Sequence, residues 1–292
     1  MADHSIIAMG LPESGKSTFL AALWHLLIER DIDTVLKFHS LTAGETSYLT
    51  RIAKRWREAK VQDRTELNGA QVVSIALRDA DDAPVQITFP DLPGEAYRRM
   101  WEERDIDPPV ADLLISGAIL LFVHADDIRA PSWVVDNTAL SKMLGLPVTE
   151  GAEVPWHPRL APTQVQLVSL LQALRQPPLD IGPRRIAVML SAWDKAAGEG
   201  LGPHDYLTTK LPLLRQYLES GADEWDWRVY GLSAQGGDYD SIDAAAPTKP
   251  DAARLRDLDQ PSKRIRLLNG AHETQDLTEP LAWLMAADED GS

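Results

Sequence analysis

The sequence predicts a three-layer α/β fold in which a mostly parallel sheet carries helices on both faces. Short apolar runs of strand length alternate with longer helical patterns along most of the 292 residues, an order that is typical of parallel strands joined by crossover helices. One run, Ala118–Val123, is apolar at every position, as expected of a central strand buried on both sides. A glycine-rich segment lies between the first predicted strand, Ser5–Met9, and the first predicted helix, Phe19–Ile28.

The remaining elements follow from the same two periodicities. The further predicted strands are Val72–Leu77, Val85–Phe89, Ala118–Val123, Ile186–Leu190 and Trp227–Leu232. The further predicted helices are Thr163–Gln176, Pro203–Ser220 and Glu279–Ala287. The acidic turn at 79–82 predicts that the strands on either side of it form a hairpin. We predict a single domain over residues 1–292, because the motifs described below are spread over its whole length in a single order. Two long, proline-containing insertions are predicted at about 125–161 and 236–275, and loops of this length inside a compact domain are usually functional or partly disordered.

The composition narrows the class of partner. The chain carries 44 acidic and 29 basic residues, a formal net charge of −15, which disfavours binding to nucleic acid and to anionic membranes. It contains no cysteine, so disulfides and thiol catalysis are excluded. No apolar run reaches the length of a membrane span. We therefore expect a cytoplasmic protein that binds neither nucleic acid nor membrane.

The segment Gly10–Thr18 matches the pattern G-x-x-x-x-G-K-[ST] of a phosphate-binding P-loop. Its setting between a strand and a helix is the one that this chemistry requires, because backbone N–H groups and the helix N-terminus then face the phosphates. We expect Lys16 to reach the β- and γ-phosphates and the Ser17 hydroxyl to bind Mg²⁺. The nucleotide-binding residues predicted in this loop are Gly10, Glu13, Ser14, Gly15, Lys16, Ser17 and Thr18.

A second motif, Asp91-Leu92-Pro93-Gly94, directly follows the Val85–Phe89 strand. A carboxylate at Asp91 can hold the Mg²⁺ shell, usually through water, and the Gly94 N–H can meet a γ-phosphate. Two more polar segments, 191–194 and 233–235, follow the strands that end at Leu190 and Leu232. Ligands of α/β sheets bind beyond the carboxyl ends of the strands, so these motifs are expected to converge on one edge of the sheet.

The order P-loop, D-x-x-G, [NTS]-x-x-D and S-A-x resembles the Ras-like P-loop GTPases. The beginning of the chain, Gly10–Trp24, and its end, Asp276–Leu284, are most similar to the double-GTPases of bacterial conflict and defence systems. The resemblance implies a Ras-like GTPase fold that binds GTP and GDP with Mg²⁺. It further implies that Asp194 pairs with the guanine N1 and N2 hydrogens and that the Ala234 N–H contacts guanine O6, with Lys195 and Ser233 in the same site.

The chain departs from the Ras-like pattern at three positions. Ala192 stands where the family has a lysine along the guanine face, for which Trp193 or Lys195 could substitute in part. Glu95 replaces the usual water-orienting glutamine and brings a negative charge near the γ-phosphate, so that hydrolysis is expected to be slow or to need a partner. The third departure is that no tight motif marks the first switch.

The threonine of the first switch, a second Mg²⁺ ligand, is therefore chosen by position. Thr65 lies shortly before the Val72 strand and is preferred over Thr42 and Thr46. An arginine that stabilises the transition state in cis could be Arg64, and Arg98 or Arg99 are alternatives. The predicted catalytic residues are Lys16, Arg64, Thr65 and Glu95, and the predicted metal ligands are Ser17, Thr65 and Asp91.

Together these features predict a Mg²⁺-dependent GTPase that acts as a regulatory switch in a bacterial multi-protein system. Segments 34–70 and 91–107 would be its switches, and protein partners would bind through these switches or through the long insertions. Two alternatives stay open. Glu95 and Ala192 favour a degenerate GTPase that serves as a nucleotide-binding adaptor, and the P-loop by itself also permits an ATP-using enzyme.

Overall fold

The computed structural model describes residues 2–43, 46–62, 71–92, 94–115, 117–131, 143, 157–221, 224–241 and 246–286. Their strands are β1 (Ala2–Met9), β2 (Lys37–Ala43), β3 (Gln71–Arg78), β4 (Pro84–Asp91), β5 (Ala118–His124), β6 (Arg185–Ser191), β7 (Asp226–Ser233), β8 (Arg266–Asn269) and β9 (His272–Thr274). Their α-helices are α1 (Lys16–Glu29), α2 (Thr46–Arg57), α3 (Gly94–Glu102), α4 (Pro108–Leu114), α5 (Thr163–Leu174), α6 (Trp193–Ala196), α7 (Pro203–Lys210), α8 (Pro212–Glu219), α9 (Pro250–Arg256) and α10 (Glu279–Met285).

The strands form one sheet in the order β2-β3-β4-β1-β5-β6-β7-β8-β9. The five central strands, from β4 to β7, pair in parallel, whereas the pairings at both edges are antiparallel. The sheet is therefore mixed, which corrects the prediction of a mostly parallel sheet. The cause is that strands returning after a short turn pair antiparallel, as in the β8–β9 hairpin. The predicted hairpin of β3 and β4 is confirmed, with Val73 opposite Phe89.

Both faces of the sheet are buried, which produces the predicted three layers. Along β1, Ile6 and Ala8 pack on the face covered by α1, whereas Ile7 and Met9 pack on the face covered by α5. The first face also carries α2, α9 and α10, and the second carries α3, α4, α7 and α8. None of the helices in the described ranges is long and apolar enough to cross a membrane.

Several predicted segments differ in detail. The helix predicted at 203–220 is two helices, α7 and α8, because Pro212 begins α8 after Leu211 has left the helical region at φ −132° and ψ 50°. The predicted switch segment 34–70 contains β2 and α2, and the predicted insertion 236–275 contains α9, β8 and β9. Most of the insertion predicted at 125–161 lies outside the described residues.

A buried histidine lies between α1 and α2. The side chain of His25 is 4% exposed, and its ring centroid lies 4.8 Å from that of Trp56. Burial lowers the pKa of His25 below its usual 6.5, because removal from water penalises the charged imidazolium. The folded protein therefore holds this side chain neutral at neutral pH.

We expect acidification to destabilise the fold through His25. In the unfolded chain His25 takes up a proton near pH 6.5, whereas in the folded chain it does so only at lower pH. The contribution of His25 to the unfolding free energy is therefore fully present above pH 6.5 and decreases as the pH falls below it. Urea unfolding at about pH 7.5 and about pH 5.5 should show a larger loss for the wild type than for His25→Gln. An equal loss in both proteins would contradict the prediction.

Candidate nucleotide-binding site

The glycine-rich loop closes around its lysine. Lys16 is the first residue of α1 and is 7% exposed. Its Nζ donates to the Gly10 carbonyl at 2.8 Å, to the Leu11 carbonyl at 3.0 Å and to Ser14 Oγ at 3.2 Å. The ammonium group is thus held inside the loop at a helix N-terminus, where the helix dipole adds positive potential. This combination is suited to phosphate oxygens.

Ser191 ties the loop to the ends of two central strands. Its buried Oγ donates to the Ser14 carbonyl at 2.8 Å and lies 3.3 Å from the Val123 carbonyl. Ser191 is the last residue of β6 and Val123 lies near the end of β5. The motif 191–194 is therefore brought against the P-loop, as the sequence predicts for motifs that follow parallel strands.

A cavity of about 220 Å³, which we call the Lys16 cavity, opens beside the loop. It contains the predicted residues Glu13, Ser14, Gly15, Lys16, Ser17, Thr18, Gly94 and Glu95. Gln235, from the predicted segment 233–235, also lines it, and three further side chains that the sequence did not indicate are Val61, Gln62 and Tyr239. Lys16, Ser17 and Glu95 thus face one volume that can hold phosphate groups and water.

Gly94 packs directly on the P-loop. A Cβ at this position would lie 2.4 Å from Pro12 Cα, a steric clash that glycine avoids because it has no Cβ. Asp91 is the last residue of β4, and Leu92 after it is fully buried. The end of β4 and the start of α3 are therefore fixed against the loop. The Gly94 backbone lies close enough to Pro12 to contact a group bound beside Pro12.

A second cavity of about 130 Å³, the Asp194 cavity, adjoins the first. The two share Glu13, Gly15, Thr18 and Gln235. Ser233 Oγ donates to Asp194 Oδ1 at 2.9 Å, which orients the carboxylate at the cavity wall. Ala234 lines the same wall, so three residues predicted to contact guanine meet beside the P-loop.

Lys195 joins two loops at the mouth of the Asp194 cavity. Its Nζ lies 3.0 Å from Asp238 and 3.5 Å from Asp126. The hydrogen bond to Asp238 raises the pKa of Lys195, and the same bond lowers the pKa of Asp238. Lys195 and Ala192 both line the cavity, so Lys195 supplies a cation to the wall in which Ala192 replaces the lysine of the family pattern.

Trp193 does not take that role, which corrects one of the two predicted substitutes. Ala192 adopts a left-handed conformation, φ 53° and ψ 37°, before the short helix α6. The Trp193 side chain that follows is 1% exposed and packs edge-on against Tyr206 at 5.3 Å. The indole is therefore a core residue, and the small Ala192 forms the cavity wall instead.

The remaining candidates divide into placed and unplaced residues. Arg64, Thr65 and the Thr42 side chain lie outside the described residues, and Thr46 is exposed at the start of α2. Arg99 is paired with Glu103, Asp105 and Asp107 on the surface, which removes it as a candidate for phosphate charge. Arg98 lines neither the Lys16 cavity nor the Asp194 cavity.

Comparison with known families agrees with this arrangement. A family model described as Double-GTPase 1 matches residues 7–284, which include every motif named above. The chain belongs to the Double-GTPase 1 family. Membership supports the binding of GTP and is in accord with the P-loop, the D-x-x-G segment and the Asp194–Ser233 pair. A comparison with curated proteins gave no match.

Three solved structures resemble this double-GTPase at low identity. The signal recognition particle receptor SRb-GTP/SRX complex of Chaetomium thermophilum is 13% identical over 88% of this chain and 96% of that one, with a TM-score of 0.41. The Ski7 GTPase-like domain of S. cerevisiae, bound to GTP, is 12% identical over 87% of this chain and 49% of that one, with a TM-score of 0.39. The Arl6 BBS3 small GTPase of Trypanosoma brucei is 13% identical over 81% of this chain and 90% of that one, with a TM-score of 0.35. Likeness at this level supports no inference about the present chain.

The residues of this double-GTPase fit a magnesium ion held largely by a nucleotide. Ser17 contributes a hydroxyl to the Lys16 cavity, and Asp91, the last residue of β4, directly precedes Leu92 in the cavity wall. In the described part of the chain no group of three or more acidic or histidine side chains forms a complete metal site. Mg²⁺ commonly keeps several waters and takes only one or two protein ligands plus phosphate oxygens, which is the donor set available here.

Two buried residues outside the motifs support the double-GTPase site. Trp56, on α2, donates from Nε1 to the Ala234 carbonyl at 2.8 Å. Arg264 is 4% exposed, lies 4.6 Å from the Trp56 ring, and donates to the Trp56 carbonyl at 2.7 Å and to Tyr239 Oη at 3.2 Å. Burial raises the pKa of Tyr239 to about 12, so it stays a neutral hydroxyl in the wall of the Lys16 cavity.

We expect Trp56→Phe to destabilise the protein more than Trp193→Phe. Both changes trim a buried indole, but only Trp56 loses a hydrogen bond, since Trp193 Nε1 has no partner among the described residues. Leaving the Ala234 carbonyl unpaired should cost roughly 1–3 kcal/mol. Urea unfolding of both variants measures the difference, and equal losses would show that the bond to Ala234 adds nothing.

Proposed function

We propose that this chain is a Mg²⁺-dependent GTP-binding switch with slow intrinsic GTP hydrolysis. The observation that carries the proposal is that a P-loop lysine and an oriented aspartate line two adjoining cavities. Lys16 lies in one, Asp194 in the other, and the cavities share Glu13, Gly15, Thr18 and Gln235. A nucleotide can extend from one to the other, with its phosphates at Lys16 and its base at Asp194.

The base would be read by Asp194. Its carboxylate accepts a hydrogen bond from Ser233 through Oδ1, which fixes its direction and leaves acceptor capacity for the N1 and N2 hydrogens of guanine. Adenine offers a ring acceptor at the first of these positions, so the carboxylate would disfavour ATP. The Ala234 N–H is proposed to meet guanine O6, with the loop held by Trp56.

The phosphates would be bound by the loop and Lys16. The ammonium group donates to loop oxygens of Gly10, Leu11 and Ser14, and its hydrogens can turn toward β- and γ-phosphate oxygens over the same short distances. Bound Mg²⁺ would neutralise phosphate charge. Ser17 and Asp91 would hold it, with Thr65 as the proposed ligand from the first switch.

Hydrolysis would be limited by the group beside the γ-phosphate. Glu95 lines the Lys16 cavity, where its carboxylate can accept a hydrogen bond from the attacking water. The negative charge of Glu95 also repels the phosphate oxygens, so this residue would align the water and at the same time raise the energy of the negatively charged transition state. Arg64 is the proposed cis arginine that offsets part of this charge in the transition state.

A switch needs a partner that distinguishes its two states. The segments on either side of the Lys16 cavity, 34–70 and 91–107, are proposed to change with the γ-phosphate. A protein partner would read these segments or the insertions, and a bacterial multi-protein defence system is the proposed setting. Ala192 and Glu95 also favour a second candidate, an adaptor that holds GTP without turning it over.

We expect calorimetric titration to show that GDP and a non-hydrolysable GTP analogue bind in preference to ADP. Lys16→Ala should abolish tight binding of both guanine nucleotides, because the loop loses its cation.

Asp194→Asn should weaken the binding of GDP roughly 100-fold or more, since two hydrogen bonds to a charged acceptor are lost.

Two matched variants control these titrations. Lys210→Ala removes a surface lysine paired with Glu199, and Asp112→Asn neutralises an exposed acid of α4 that lines neither the Lys16 cavity nor the Asp194 cavity. Both should keep the wild-type affinity. Equal affinity for ADP and GDP, or unchanged binding by Lys16→Ala, would overturn the proposal.

We expect Glu95→Gln to accelerate GTP hydrolysis about tenfold, because it removes a negative charge near the γ-phosphate and keeps a group that can orient water. Single-turnover assays with Mg²⁺ and with a chelator measure the rate. Glu103→Gln, a change at an exposed residue paired with Arg99, is the control. A slower Glu95→Gln enzyme would contradict the electrostatic argument, and the absence of turnover in every variant would favour the adaptor.

A further inference from the structure

A third cavity, of about 380 Å³, borders the P-loop without containing Lys16 or Ser17. We call it the arginine cavity. It shares Pro12, Glu13 and Ser14 with the Lys16 cavity, and from there it extends past the end of β5 to the first turns of α5. Its volume lies within the range of pockets that bind small molecules, and no step proposed for GTP uses it.

The wall of this cavity is rich in guanidinium groups. Arg98 from α3, Arg129 after β5, and Arg159 before α5 all line it. Within the described part of the chain, none of the three forms an ion pair with a carboxylate. Arg129 donates instead to the Arg159 carbonyl at 2.6 Å, and Arg159 donates from Nε to His157 Nδ1 at 3.1 Å.

Among the residues that the structure describes, these three guanidinium groups around one cavity are not neutralised by a carboxylate, in a chain with a net charge of −15. They repel one another, and a dianion placed between them would remove that repulsion and gain charge-assisted hydrogen bonds. Guanidinium matches the geometry of phosphate oxygens through paired N–H groups. The cavity also holds Asp127 and Glu13, which disfavour a second anionic group but can accept hydrogen bonds from hydroxyls.

We propose that the arginine cavity binds a small phosphomonoester that carries hydroxyl groups. Arg98, Arg129 and Arg159 hold the phosphate, and Asp127 accepts from the hydroxyls. Because Pro12, Glu13 and Ser14 form a wall common to this cavity and the Lys16 cavity, the bound ligand also changes the rate at which the P-loop releases a nucleotide. Only this last step depends on the proposed function.

Ribose 5-phosphate is the probe, and ribose is its matched uncharged control. Arginine Nε–Hε resonances are followed by NMR during titrations of the protein with and without GDP. We expect saturable shifts for Arg98, Arg129 and Arg159 with ribose 5-phosphate and no shifts with ribose. Single Arg→Lys variants assign the resonances, so the readout reports on this cavity even when phosphate also enters the P-loop.

Arg159→Gln should weaken the probe about tenfold, the value of one charge-assisted hydrogen bond. Arg215→Gln, a change to an arginine paired with Glu219 on α8, should leave the affinity unchanged. The absence of saturable arginine shifts, or equal binding by the Arg159→Gln variant, overturns the proposal. Binding of inorganic phosphate as tight as that of ribose 5-phosphate overturns the role given to Asp127.

The coupling is measured as the release rate of a fluorescent GDP analogue. We expect ribose 5-phosphate to change this rate at least about twofold in the wild type and not in the double variant Arg129→Gln with Arg159→Gln. An unchanged rate in the wild type refutes the coupling. If GDP does not bind at all, the proposed function fails, whereas the arginine resonances still decide whether the cavity binds the probe.

Discussion

The contact between the P-loop and the ends of β5 and β6 is the constraint on which the site depends. Ser191 bonds to the Ser14 carbonyl from β6, and a Cβ at Gly10 would lie 2.6 Å from the Phe122 carbonyl of β5. The loop backbone therefore rests directly on the sheet. This seating fixes the start of α1, and with it the Lys16 ammonium. Because β4, β6 and β7 end at the same edge, the residues after them reach a loop whose position is already set.

The wall that faces the loop is built by chain that follows β7. Tyr239 and Asp238 line the cavities, and their position depends on Arg264, whose buried guanidinium binds Tyr239 and the Trp56 carbonyl. Trp56 in turn holds Ala234. The helix α2, within the proposed switch segment 34–70, and the chain that follows Ala234 are thus joined by one hydrogen-bonded cluster. Movement of α2 would be transmitted to Ala234 because the Trp56 indole on α2 is hydrogen-bonded to the Ala234 carbonyl.

The sequence predicts those parts of the fold whose signal is local. Strands β5 and β6 are apolar at every core position, and the P-loop and the residues after each strand follow from spacing. Strand β2 was missed because Lys37–Ala43 mixes polar and apolar residues at a sheet edge, and β9 is only three residues long. The Trp56–Ala234 bond joins residues 178 apart, which no periodicity indicates. Likewise, the left-handed backbone at Ala192 turns the Trp193 side chain into the core, and the spacing of residues in the sequence does not indicate this orientation.

An acidic chain can bind a polyanion because charge acts locally. The surface charges that make up the net −15 are screened over about 8–10 Å at physiological salt, whereas Lys16 would meet phosphate oxygens at hydrogen-bond distance in a partly closed cavity. Carboxylates close to the site are largely neutralised in place, as Asp126 and Asp238 are by Lys195. The overall charge therefore disfavours nucleic acid, which binds over a broad surface, without disfavouring a nucleotide in a local cavity. Ion pairing with two acids also holds the Lys195 cation at the Asp194 cavity, whereas the P-loop GTPase pattern would place a lysine at position 192.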